Sequence, residues 1–88
     1  MNISRNEQRA LHVLALGGRI LHERGEGSRK ITHVTCVTRE GTILSDCDLK
    51  TFQALRRKRL IESRSGGPYR ISRRGRISVR AQLDNQGG

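Results

Sequence analysis

Apolar side chains at Ala10, Leu11, Val13 and Leu14 fall along one side of a helical turn pattern, with Arg5, Gln8, Arg9 and His12 on the other. Ser4-Arg5-Asn6-Glu7 before them has the form of a capping box. In such a box the Ser4 hydroxyl accepts from the backbone at Glu7 and the Glu7 side chain reaches back. Ile3 is placed to act as a hydrophobic staple, and Gly17-Gly18 ends the helix, since glycine adopts the left-handed cap conformation at little cost. Arg19 to Glu23 and Ile31 to Arg39 read as strands joined by a turn at Gly25-Glu26-Gly27-Ser28. In the second strand Ile31, His33, Thr35 and Val37 would share one side and Thr32, Val34, Cys36 and Thr38 the other. Neither side is cleanly polar, so the inward face stays open. Glu40-Gly41 turns the chain again, and Thr42-Ile43-Leu44 adds a short third strand to a small antiparallel sheet.

Ser45-Asp46-Cys47-Asp48 is rich in N-cap residues and predicts a second helix from about Asp48 to Arg59. Leu49, Phe52 and Leu55 make its inner face. Lys50, Gln53, Ala54 and Arg57 make the opposite face, with Lys58 alongside. Leu60 to Arg64, the turn Ser65-Gly66-Gly67-Pro68, and Tyr69-Arg70-Ile71 predict a β-hairpin. Ser72 caps a last helix running to about Asp84, with Arg73, Arg76 and Arg80 as a stripe and the chain fraying beyond it. The expectation is one α+β, winged-helix-like domain over residues 1–85, with about three helices, a small antiparallel sheet and a C-terminal β-hairpin wing. Residues 86–88 are expected to form a flexible tail.

Charge sharpens this picture. Of the net +10, the segment from Met1 to Leu49 contributes +1 (seven Arg/Lys, six Asp/Glu). The segment from Lys50 to Gly88 contributes +9 (eleven Arg/Lys, two Asp/Glu). A field this one-sided suits a polyanion or an acidic protein face, whereas a merely soluble surface interleaves both signs. At 33% hydrophobic residues and a mean hydropathy of −0.66 the chain is polar, but Leu, Ile and Val recur throughout at structured spacings, as in a folded domain. That Phe52 and Tyr69 are the only aromatics argues against an aromatic platform for single-stranded nucleic acid. No apolar run approaches the roughly 18–20 residues of a membrane span, and MNISRNEQR has no signal-peptide core. A cytoplasmic protein with Cys36 and Cys47 reduced is expected.

A helix with an apolar inner face, a Leu60-Ile61 step, a Gly/Pro hairpin and a helix opening on arginines resemble the second half of a winged-helix domain. There, Lys50, Gln53 and Arg57 could meet base edges or phosphates, and Arg64, Arg70 and Arg73 could meet phosphates from the wing. The helix that would normally precede the recognition helix is replaced by the strands of Arg19 to Leu44. His33-x-x-Cys36 with Cys47 and His22 has zinc-binding atom types but not paired-ligand spacing, so no metal or other cofactor is expected. No nucleophile triad, phosphate loop or carboxylate pair stands out, and a non-enzyme is expected. A small basic ribonuclease using Arg, Lys, His and Tyr69 is the least favoured reading.

Three blocks together, MNISRNEQRALHVLALGGRI, CDLKTFQALRRKRLIESRSGGPYRIS and VRAQLDN, resemble the YjhX family of small bacterial proteins over Met1 to about Asn85. The resemblance implies the toxin of a toxin–antitoxin pair that binds and inhibits DNA topoisomerase I, with a cognate antitoxin as second partner. It supplies no catalytic motif. The alternative reading is a DNA-binding transcriptional regulator using helix 48–59 and wing 60–71 on double-stranded DNA. Under either reading the candidate binding residues are Lys50, Gln53, Arg57, Lys58, Arg64, Arg70, Arg73, Arg76 and Arg80.

Overall fold

A computed structural model describes residues 2–45 and 47–87, with side chains as far as Arg80. Helix α1 spans Arg5–Ala15. Ser4 caps it, its Oγ accepting from the Glu7 N–H at 3.2 Å. The other half of the predicted capping box does not form. The Glu7 carboxylate turns away from its own helix and meets Lys58 Nζ at 2.6 Å. At the far end Gly17 takes φ +105° and Gly18 N–H donates to Val13 O at 3.0 Å, the bond pattern of a glycine-terminated helix.

Strands β1 (Arg19–Arg24), β2 (Ile31–Val37) and β3 (Ile43–Leu44) follow. β2 stops two residues short of the prediction because Thr38 folds into a turn: its N–H donates to Thr42 O at 2.8 Å and its Oγ1 accepts from Thr42 N–H at 3.0 Å. The open question of which β2 face points inward is settled by a bulge. Glu23 pairs with His33 but Arg24 pairs with Ile31, so Thr32 is an extra residue. Thr32 and His33 therefore both lie exposed, and Ile31 joins Val34 and Cys36 on the buried side. Strict alternation would have put Ile31 on the opposite side.

Helix α2 spans Leu49–Arg57. Asp48 Oδ1 accepts from Thr51 N–H at 2.8 Å, and this bond to the backbone holds the Asp48 carboxyl below the usual carboxylate range. The helix ends as α1 does, with Leu60 N–H bonded to Leu55 O at 3.0 Å, but here the left-handed position (φ +61°) is filled by Arg59. Strands β4 (Ile61–Ser63) and β5 (Tyr69–Ile71) pair antiparallel, and α3 (Arg73–Gly87) closes the chain, running three residues past its expected end at Asp84. Ser72 links the ends of two helices. Its Oγ accepts from Gly75 N–H at 3.0 Å and donates to Arg59 O at 2.7 Å.

All five strands form one antiparallel sheet, ordered β3-β2-β1-β5-β4. The expected small sheet and hairpin are thus continuous, joined where Ile20 faces Tyr69. One row of side chains, Leu44–Cys36–Ile20–Tyr69–Ser63, crosses every strand. Against this face pack Ala10, Leu11 and Leu14 of α1 and Phe52 and Leu55 of α2, all essentially inaccessible to solvent. Each such Leu or Phe contributes about 1.5–3 kcal/mol of transfer free energy. Tyr69 meets Phe52 edge-on at 4.9 Å and His22 at 5.2 Å, with the Arg56 guanidinium 6.0 Å from its ring centroid.

Two contacts set expectations for stability. A Cβ on Gly75 would collide with the Leu60 carbonyl oxygen and lie 2.7 Å from Ile71 Cγ1, so only glycine lets α3 sit this close. Gly75→Ala should cost about 1–3 kcal/mol through overpacking, read as a lower midpoint in urea denaturation. Lys58 is the ion-pair partner of the buried Glu7 and also donates to Asn2 O at 2.7 Å. Lys58→Ala leaves that carboxylate buried and unpaired, and should cost about 1–3 kcal/mol. Lys50→Ala, a substitution at an exposed helix position, should shift the same midpoint far less.

Candidate functional site

The second half of the chain turns out its cations from four elements. On α2, Lys50, Gln53 and Arg57 are spaced by three and four residues and all are exposed, so they share one outward face. Lys58 does not join them as expected: it is turned inward, half-buried, and engaged by Glu7. Arg64 stands in the turn after β4 and Arg70 points outward from β5. Arg73, Arg76 and Arg80 run along the exposed side of α3. Among the described residues, none of Lys50, Arg57, Arg70, Arg73, Arg76 and Arg80 has an ion-pair partner.

Three of these residues converge. Arg64, Arg70 and Arg76 line one groove of about 420 Å³ between the hairpin and α3, together with Glu62, Gly67, Pro68 and Ile71. Glu62 pairs across the strands with Arg70, and its Oε1 lies 3.9 Å from Arg64 Nη2. Lys50, Gln53 and Arg57 do not line this groove, and neither do Arg73 and Arg80. From Lys50 to Arg80 the sequence holds eleven basic residues and the single carboxylate Glu62, so the local field is strongly positive.

Glu62 is the residue that reading the sequence for cations passed over. Its place follows from hairpin register: once the Ser65–Pro68 turn sets Ser63 opposite Tyr69, Glu62 must face Arg70. Arg56, Arg59 and Arg74 are also exposed basic residues outside the predicted set. Arg56 could have been noticed as the neighbour, one turn after Phe52, of the same aromatic cluster.

The residues considered for zinc separate. His33 is exposed on the bulged side of β2, whereas Cys36 and Cys47 are buried and His22 packs edge-on against Tyr69. Among the described residues no three His, Cys, Asp or Glu side chains gather as metal ligands would. Cys36 and Cys47 perturb each other's thiol titration. Their interaction holds the Cys36 thiol below its ordinary range and, with burial, pushes Cys47 well above it. Chemically, the exposed arrangement is suited to holding anions by charge and guanidinium hydrogen bonds. Among the described residues, no helix is long and apolar enough to cross a membrane.

Comparison with known proteins finds relatives along almost the whole sequence. A UPF0386 protein of Cereibacter sphaeroides is 83% identical over 87 residues, covering 99% of each chain. One from Rhodospirillum rubrum is 74% identical over 87 residues, covering 99% of this chain and 96% of its own. One from Caulobacter vibrioides is 56% identical over 88 residues, covering 100% and 96%. No solved structure matches the chain. The model of the YjhX toxin family, described as "Putative toxin of bacterial toxin-antitoxin pair", matches residues 1–86, and the chain belongs to that family.

Proposed function

We propose that this protein is the toxin of a bacterial toxin–antitoxin pair and acts without catalysis, by binding DNA topoisomerase I through its basic face and inhibiting it stoichiometrically. The family supports the toxin assignment and a cognate antitoxin as partner. The observation that carries the binding mode is the exposed set Lys50, Arg57, Arg70, Arg73, Arg76 and Arg80, which have no ion-pair partner among the described residues. Unneutralised cations on a small rigid domain favour rapid capture of an acidic or DNA-laden surface. The protein works in the cytoplasm, where such an enzyme meets its DNA.

A second reading, a DNA-binding regulator using helix 48–59 and wing 60–71, is favoured by one specific observation. The inner hairpin strand β5 pairs with β1, and the hairpin directly follows α2, whose outward face carries Lys50, Gln53 and Arg57. This order resembles that of recognition helix, wing and first strand in a winged-helix domain, although β2 and β3 stand where its preceding helix would be.

A plasmid relaxation assay with purified topoisomerase I, run beside a gel shift on the same plasmid, separates the readings. Inhibition at concentrations giving no shift is the expected result; a shift without inhibition favours the regulator. Lys50→Glu with Arg57→Glu should preserve the circular dichroism spectrum, both residues being exposed, and weaken inhibition by about ten-fold or more, since two charges are reversed. Unchanged inhibition and unchanged DNA binding would remove the α2 face from the site.

A further inference from the structure

We propose that the groove between the β4–β5 hairpin and α3 is a phosphate site for the backbone of a duplex nucleic acid, with Glu62 as its built-in competitor. The proposal rests on the basic face above and says what one part of that face binds. Arg64, Arg70 and Arg76 line the groove from three separate elements, a turn, a strand and a helix, so the fold itself sets three arginine residues around one space. Each guanidinium offers a planar fork of donors that matches two oxygens of a phosphate.

Against these three stands one carboxylate. Glu62 faces Arg70 in the strand register and approaches Arg64 at 3.9 Å, too far for a hydrogen bond. The Arg64 and Glu62 side chains are 91% and 52% exposed, so their contact is solvated and easily exchanged for a stronger anion. The groove therefore carries a surplus of two positive charges, partly masked by a weakly held internal anion.

The remaining lining decides what kind of anion fits. Gly67, Pro68 and Ile71 offer no aromatic ring for a base to stack on and no side-chain amide to read a base edge. The chain's two aromatics, Phe52 and Tyr69, are 0% and 8% exposed and so cannot hold an unstacked single strand. Arg73 and Arg80 continue the line of cations along α3 beyond the groove, as a run of backbone phosphates requires and a compact small anion does not. Recognition is of the phosphodiester backbone of a duplex, independent of sequence.

The test is fluorescence anisotropy of the full chain with a short mixed-sequence DNA duplex across a salt series. Glu62→Gln should bind about two- to five-fold more tightly, a gain that misfolding cannot produce. The triple variant Arg64→Gln, Arg70→Gln, Arg76→Gln should flatten the plot of log K against log salt by up to about 2.7, near 0.9 for each phosphate that is no longer neutralised. Unchanged affinity in Glu62→Gln, or an unchanged slope in the triple variant, overturns the proposal. So does displacement of DNA by polyglutamate as readily as by polyphosphate of equal charge, which would make the groove a site for an acidic protein. The Lys50→Glu, Arg57→Glu variant measured alongside keeps the two readings apart. Loss of DNA binding in that variant alone leaves the basic face standing and removes the groove; loss in neither removes both as DNA-binding surfaces.

Discussion

Among the described residues, the facing of Ile20 on β1 with Tyr69 on β5 is the one register pair between the two halves of the sheet. Around it the core is arranged in layers. The row from Leu44 to Ser63 crosses it, and Phe52 of α2 and His22 of β1 both meet the same Tyr69 ring edge-on. Edge-to-face ring pairs add about 0.5–1.5 kcal/mol each beyond the area they bury. Tyr69 therefore holds together strand, helix and sheet at once, and the orientation of α2 relative to the hairpin follows from it.

This joint also explains how a near-neutral segment and a strongly cationic one make a single molecule. The balanced half provides α1 and the three strands that bury Leu11, Leu14, Ile20 and Cys36; the cationic half provides Phe52, Leu55, Leu60 and Ile71. One acidic residue of the first half, Glu7, is drawn inward to meet Lys58 of the second. The other cations of α2 and α3 receive no such partner among the described residues, and repulsion among them is tolerated because they leave on different elements and face water.

Local chemistry made much of this visible in the sequence. Ser4 and Ser72 cap the helices they were expected to cap, Asp48 of the predicted N-cap cluster caps α2, the glycine pair ends α1, and the Gly/Pro turn makes the hairpin. What stayed hidden depended on distant partners. The Glu7 carboxylate had a good local acceptor role and took a cation fifty-one residues away instead. Lys58, read as part of an exposed face, was withdrawn by the same contact. Ile31 could not be placed without the bulge at Thr32, and a bulge has no mark in residue type. The groove was half legible: its arginines stood out as charge, but their convergence needed the packing of α3 on Leu60, and that packing rests on the absent side chain of Gly75.

The pairing of Ile20 with Tyr69 has a consequence for the life of the chain during synthesis. The strand that seats the basic helix and hairpin is made early, while its partner is among the later residues to appear. Until Tyr69 arrives, the first half has an open sheet edge and the arginines already made have charge but no geometry. The arrangement of the basic side chains is therefore complete only after the sheet has closed through Tyr69. Any recognition that depends on this geometry therefore begins only once the sheet has closed.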